Sequence, residues 1–188
     1  MVTTAHETGR AAAHAGPTAG DRTAAERARA AAAAVADPEL PMLTLADLGI
    51  LRGVDLDRDG TVQVWITPTY SGCPALAEMR ADVDRAVRSA GFDRVRVRMA
   101  LSPAWTTDWI TEEGRAKLAE HGISPPGRAP RRAPGPVPLT LLPTRTAPRC
   151  PLCGAADTEE LSRFGATSCK SLHRCRSCLE PFEHVKEI

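Results

Sequence analysis

No run of 18 or more apolar residues occurs in the chain, which leaves it without a segment able to span a bilayer as a helix. The opening Met-Val-Thr-Thr-Ala-His-Glu lacks the basic region and apolar stretch of a secretory signal, so a cytoplasmic protein with no membrane partner is expected. The sequence has no Glu-x-x-His pair of the kind that carboxylate-bridged di-iron sites place on facing helices, and no Gly-rich dinucleotide fingerprint. It therefore does not read as a stand-alone oxygenase. A basic platform for nucleic acid is missing too: residues 1–121 carry 14 basic and 17 acidic side chains, which gives no electrostatic footprint for phosphates.

What is present divides the chain. Residues 1–20 are mostly Ala, Gly, Thr and His, too poor in large apolar side chains to offset the entropy of ordering, and read as a disordered tail. Between Gly122 and Pro148 there are 8 prolines, four arginines (Arg128, Arg131, Arg132, Arg145) and no acid. That composition favours extended, solvated chain and reads as a linker over 122–148. The 21–121 segment must then hold its own core, and 149–188 forms a second unit.

Within 21–121 the residue pattern predicts α-β-β-α-β-α, a small α+β domain with a sheet covered by helices. Asp21 is placed to cap an Ala-rich helix that ends before Pro38. Val54 and Leu56 lead to a hairpin turn at Asp57-Arg58-Asp59-Gly60. Val62, Val64 and Ile66 then alternate with polar residues as in a half-buried strand. Leu76, Met79, Val83, Val87 and Ala90 recur at helical spacing, ended by Gly91. Val95, Val97, Met99 and Leu101 share the inner face of a last strand, opposite Arg94, Arg96 and Arg98. Thr111 is the cap of a final short helix, and Trp105 and Trp109 are either a partner-binding edge or packing beneath a loop.

Three features carry chemistry. In Thr67-Pro-Thr-Tyr-Ser-Gly-Cys-Pro74, Pro74 suits a first helical position, which puts Cys73 near an N-cap. A thiol there is expected to have a lowered pKa and to bind metal or attack electrophiles; the alternative is a small buried residue closing a turn. No histidine lies in the loop to serve as a base, which argues against a thiol enzyme. Asp37-Pro38-Glu39 places two carboxylates just past a helix, as a helix stop or as metal ligands.

The third feature is the most specific. Cys150-x2-Cys153 and Cys175-x2-Cys178, 21 residues apart, have the spacing with which zinc ribbons gather four thiolates. The segment's large apolar residues (Leu161, Phe164, Leu172, Phe182, Val185) are too few to fold it unaided, so a structural zinc is expected. Cys169 and His173 lie just upstream of the second pair. A different ligand set, or an iron–sulfur cluster on these thiolates, stays open on spacing alone. A zinc-ribbon adaptor binding nucleic acid through the linker arginines is the competing function class.

Asp37-Pro-Glu-Leu-Pro, Asp47-Leu-Gly-Ile and the Thr67–Pro74 loop resemble the iron–sulfur assembly domain of SufT-like factors. Ser102-Pro-Ala-Trp-Thr-Thr-Asp-Trp-Ile-Thr-Glu-Glu-Gly114, Cys-Pro-x-Cys-Gly at 150–154, and Phe164-Gly-Ala-Thr-Ser-Cys-Lys through Arg174-Cys-x-x-Cys-Leu-Glu-Pro-Phe182 resemble the PaaD family. Its members are the accessory D components of phenylacetyl-CoA oxygenase (epoxidase). The resemblance implies a non-catalytic accessory or maturation component of a multisubunit bacterial monooxygenase that converts phenylacetyl-CoA to its ring epoxide. Implied partners are the other oxygenase subunits. The implied cargo is iron or a transient iron–sulfur cluster, with Cys73 as ligand and Asp37 and Glu39 in support. One thiolate is too few for a cluster, so a homodimer or a partner protein is expected to complete it.

Overall fold

The computed structural model describes residues 19–70, 72–129 and 147–188. The expected tail, apart from Ala19 and Gly20, and most of the expected linker, including Arg131, Arg132 and Arg145, lie outside the described residues, as does Ser71. No helix among the described residues is long and apolar enough to cross a membrane.

In the first unit, α1 (Ala19–Ala33) precedes β1 (Leu51–Leu56), β2 (Val62–Ile66), α2 (Leu76–Ser89), β3 (Val95–Met99) and α3 (Glu112–Glu120). That is the predicted order. The strands form one sheet, β1-β2-β3, with β1 antiparallel and β3 parallel to the central β2. Ala28 and Ala32 of α1 are fully buried, their small side chains letting that helix approach the sheet closely. Met79, Val83 and Val87 form the buried stripe of α2. Against them lie Val62, Val64 and Ile66, all without exposed surface. Burying each such side chain contributes about 1.5–3 kcal/mol.

Two strands depart from their predicted exposure. β2 is covered on both faces, because Gln63, expected outside, is buried. Its amide donates to Asp57 Oδ2 at 2.8 Å and accepts from Arg98 Nε at 2.9 Å, so the polar face is closed by its own hydrogen bonds. β3 is an edge strand, and its expected inner face is only partly covered. Val95 and Val97 are half-buried, while Met99 and Leu101 lie open to solvent.

Gly49 fixes the turn before β1. Its φ is +66°, and a Cβ there would fall 2.6 Å from Trp109 Cβ and 2.7 Å from the Trp109 carbonyl oxygen. Trp105 is buried and donates its indole N–H to the Leu48 carbonyl at 2.9 Å. The guanidinium of Arg52 stacks 3.6 Å from the Trp109 ring. The two tryptophans therefore brace the Asp47–Ile50 turn; neither forms a free binding edge. Thr111 caps α3 as expected, accepting from Gly114 N at 3.0 Å.

The second unit is a sheet of β5 (Thr158–Ser162), β6 (Lys170–Cys175) and β7 (Pro181–Val185), antiparallel throughout. It does not stand apart from the first. Ile123–Ser124, expected inside the linker, is a short strand, β4, that pairs in parallel with β7 to give the order β4-β7-β6-β5. The expected linker thus begins with ordered chain. Prolines 125 and 126 stop the strand after two residues, since they have no N–H for the ladder. Val185 joins the core of the first unit, Gly127 N donates to Glu187 Oε1 at 3.0 Å, and the backbone N–H of Thr107 donates to the Ile188 carbonyl at 3.1 Å.

Gly49→Ala should lower stability by about 1–3 kcal/mol, from left-handed strain and the clash at Trp109. Urea denaturation followed by tryptophan fluorescence checks this, and an unchanged midpoint would contradict the packing at this turn.

Candidate functional site

The four knuckle cysteines converge. One ligand atom from each of Cys150, Cys153, Cys175 and Cys178 lies within 4.8 Å of all the others. The pairs Cys150 Sγ to Cys178 Sγ and Cys153 Sγ to Cys175 Sγ are 3.7 and 3.5 Å apart. Four sulfurs at zinc–thiolate bond length on a tetrahedron stand about 3.8 Å apart, so the cluster has the size of a zinc site.

Local backbone geometry makes the cluster. In the first knuckle Gly154, at φ +75°, donates to the Cys150 carbonyl at 2.9 Å, and Cys150 N donates to the Ala155 carbonyl at 2.9 Å. In the second, the N–H groups of Ser177 and Cys178 both point at Cys175 Sγ at 3.4 Å. Hydrogen bonds from Cys178 N and Ser177 N hold the Cys175 thiol down to about 6. Cys178, despite an N–H from Glu180, is pushed up to about 12 by burial and by the other sulfurs. Without a cation, one of these sulfurs takes a charge readily and another resists it. A divalent ion removes that conflict and holds all four as thiolates. The apolar support is slight: Cys150, Cys175 and Phe182 are its buried members. Leu161 and Phe164 are exposed, which leaves the metal as the centre of this unit.

Cys169 and His173 stand outside this cluster. His173 is buried against Phe182, with its Nε2 3.0 Å from Ser171 Oγ, and burial pushes its imidazole pKa down. Cys169 lies at the other end of β6, with its sulfur 3.0 Å from Thr167 Oγ1.

In the first unit, Cys73 lies between β2 and α2, but not at the helix cap. The cap is Ala75, and the helix begins at Leu76. The expected lowering of the thiol pKa is reversed: burial pushes it up against an N–H from Ala75, and the nearby charges of Glu39, Asp37 and Cys169 push it further. Asp37 is almost fully buried, and its Oδ1 accepts from Glu39 N at 2.9 Å and Leu40 N at 2.8 Å. It thus builds the turn that follows α1, and it also lies in the electrostatic surroundings of Cys73. Burial raises its carboxyl, opposed by those two N–H groups and by Lys170. Glu39 is raised by burial and by Asp37, again opposed by Lys170.

Lys170 and Glu183 are the residues that sequence reasoning missed. Lys170 is buried and pairs with Glu183 Oε2 at 2.6 Å. The other oxygen of Glu183 accepts from Ala166 N at 3.0 Å. Gly165 donates to the Lys170 carbonyl at 2.8 Å, and a Cβ on it would meet Glu183 Oε1 at 2.7 Å. The Phe164–Cys169 loop is therefore clamped onto β6 and β7. The Phe-Gly-Ala-Thr-Ser-Cys-Lys run, which carries part of the family resemblance, is the signal in the sequence that marks this loop.

An α+β domain with a loop cysteine, continuous with a four-cysteine β-ribbon, defines the class: an iron–sulfur assembly type of domain fused to a zinc ribbon. Residues 25–99 match the family described as "Iron-sulfur cluster assembly protein", and residues 134–186 match "PaaD zinc beta ribbon domain". The chain belongs to the PaaD family: it is 44% identical over 154 residues to the D component of the "Putative 1,2-phenylacetyl-CoA epoxidase" of Escherichia coli (strain K12), covering 82% of this chain and 87% of that one. It is also 36% identical over 85 residues to an "Fe-S protein maturation auxiliary factor" of Porphyromonas gingivalis, covering 45% of this chain and 80% of the relative. A solved DUF59 domain from Bacillus anthracis is similar with a TM-score of 0.49 and 22% identity, over 53% of this chain and 94% of that one. The ribbon family and the four-cysteine cluster together fit structural zinc.

Removing zinc with a strong chelator should release the amide protection of β5, β6 and β7 while β1 and β2 keep theirs, since the ribbon has little core of its own. Hydrogen exchange read by mass spectrometry checks this. Unchanged protection in β6 after complete metal loss would count against a metal-dependent ribbon.

Proposed function

We propose that this chain is a maturation component of a bacterial multicomponent phenylacetyl-CoA epoxidase, supplying iron or an iron–sulfur cluster to the oxygenase or reductase component. It does no redox chemistry itself. The observation that carries the reading is the union, in one chain, of a domain that matches the iron–sulfur assembly family and carries the Cys73 loop with a ribbon that matches the PaaD family. The thiol is held neutral by burial and by neighbouring negative charge, conditions that an incoming iron ion reverses as it displaces the proton. Cys150, Cys153, Cys175 and Cys178 hold zinc in this reading. Four thiolates complete a tetrahedron and leave no open position, so the zinc stabilises the ribbon and takes no part in transfer.

Partner recognition would fall on the face that includes a cleft of about 650 Å³ walled by Thr67–Tyr70, Leu101, Thr106 and Ile188. That cleft is continuous with the loop carrying Cys73.

Oxygenase purified from cells lacking this chain should have less than full iron, and wild-type chain but not Cys73→Ser should restore it. Metal analysis of the purified partner decides, with its quaternary state as control. Full iron occupancy in the partner without this chain would overturn the proposal.

A further inference from the structure

The outer edge of β3 is a surface that nothing described so far occupies. β3 pairs with β2 along one side and has no strand along the other among the described residues. The Arg94 carbonyl accepts from Val62 N at 2.8 Å, and Ala100 N donates to the Ile66 carbonyl at 2.8 Å. Backbone groups alternate in direction along a strand, so Arg94, Arg96, Arg98 and Ala100 turn theirs toward β2. Val95, Val97 and Met99 then turn their N–H and C=O groups outward. The exposed Arg80 of α2 reaches the outward carbonyl of Val97 at 3.4 Å, a long contact that a backbone donor could replace. The edge is therefore open to a further strand.

Charge decides which strand fits. An open groove of about 560 Å³ runs between Arg80 and Asp84 of α2 and Val95–Arg98 of β3. Asp84 is already paired with Arg88 at 2.6 Å, and Arg94 approaches Asp59 at 3.9 Å. Arg80, Arg96 and Arg98 form no ion pair among the described residues, although Arg98 donates its Nε–H to Gln63 Oε1. The edge thus carries uncompensated positive charge beside a row of unused backbone groups. A second copy of the chain does not suit it: two β3 edges would set arginine against arginine, and like charges directly opposite are destabilising. Asp59 and Asp93 stand among the arginines farther along the strand, which breaks the continuous basic track a phosphate backbone would follow. At its other end β3 leads to Leu101, which is exposed and lines the cleft assigned above to partner recognition.

We propose that the β3 edge binds an extended acidic segment of a partner protein, which adds to the sheet as a fourth strand beyond β3. Main-chain hydrogen bonds to Val95, Val97 and Met99 supply the pairing, and alternate side chains supply the selectivity. On the incoming strand, carboxylates fall beside Arg96 and Arg98, while small apolar residues at the positions between them extend the half-buried face of Val95 and Val97. An N–H of the new strand takes the Val97 carbonyl from Arg80, and the released guanidinium turns to a carboxylate of the segment. The proposal is independent of whether Cys73 carries iron.

The test uses the zinc-loaded full chain and a blocked peptide that alternates glutamate with valine and threonine, with binding followed by fluorescence polarisation and residue-resolved amide exchange by NMR. In free protein the amides of Val97 and Met99 should exchange fast and those of Arg98 and Ala100 slowly. The peptide should slow the first pair. Arg80→Glu with Arg96→Glu should weaken binding about tenfold or more. Val97→Pro, which removes an outward N–H and leaves the ladder to β2 intact, should weaken it as well. Unchanged exchange of the slow amides in each variant shows that the sheet is still folded. Equal binding of a peptide N-methylated at alternate amides would overturn strand addition, and equal binding of a lysine counterpart would overturn the acidic selectivity. Protection of the same amides by single-stranded oligothymidylate at equal affinity would replace the protein partner with nucleic acid. No binding to folded wild type would reduce the arginines to guards against edge pairing and sink the proposal.

Discussion

Convergence of the four knuckle sulfurs is the constraint on which the rest depends. Without a cation these thiols compete, Cys175 drawn toward the charged form and Cys178 held strongly away from it. The surrounding apolar cluster is too small to hold them together by burial alone. Once β6 and β7 are fixed at that end, their other end has a defined position. There Val185 enters the larger core, β7 accepts the short strand β4, and the Ile188 carbonyl meets Thr107. The ribbon is therefore a metal-set lever, with its tip packed against the first domain.

The tip is where the two units meet. A buried lysine is costly unless paired, and Lys170 is paired with Glu183 at 2.6 Å. Part of its charge also reaches Asp37 and Glu39 on the first domain. The two units are held by Val185, β4 and the hydrogen bonds of Glu187 and Ile188. Truncating Glu183 would leave Lys170 facing the seam without its nearest counter-charge and would free the Cys169 loop. The pairing of Lys170 and the position of the Phe164–Cys169 loop are carried by the same carboxylate.

Much of this is legible in the residues. Helical and strand periodicities yield the element order of the first domain, and the spacing of Cys150, Cys153, Cys175 and Cys178 announces a four-sulfur cluster. The misses have physical causes. Gln63 alternates as an outward residue, yet Asp57 and Arg98 close over it, a contact that periodicity does not encode. The Pro-rich composition of 122–148 conceals a two-residue strand, because pairing with β7 depends on a partner about sixty residues away. A helix terminus predicts a low pKa for the Cys73 thiol, but the helix starts three residues later and burial beside carboxylates dominates. Long-range charge is the part of a site that sequence shows least.

The arrangement bears on how the two units can part while each stays folded. The domain and the ribbon meet through one two-residue strand, Val185, the Gly127–Glu187 bond and the hydrogen bonds of Thr106 and Thr107 to the Ile188 carbonyl. A partner docking at the adjoining cleft, which Thr106 and Ile188 also line, would bear on those contacts first. The zinc-bound knuckles at the far end of β6 would keep the ribbon folded while this happened. The structural metal thus lets the ribbon keep its own fold independently of its contacts with the first domain, so that the two units can shift against each other without either being lost.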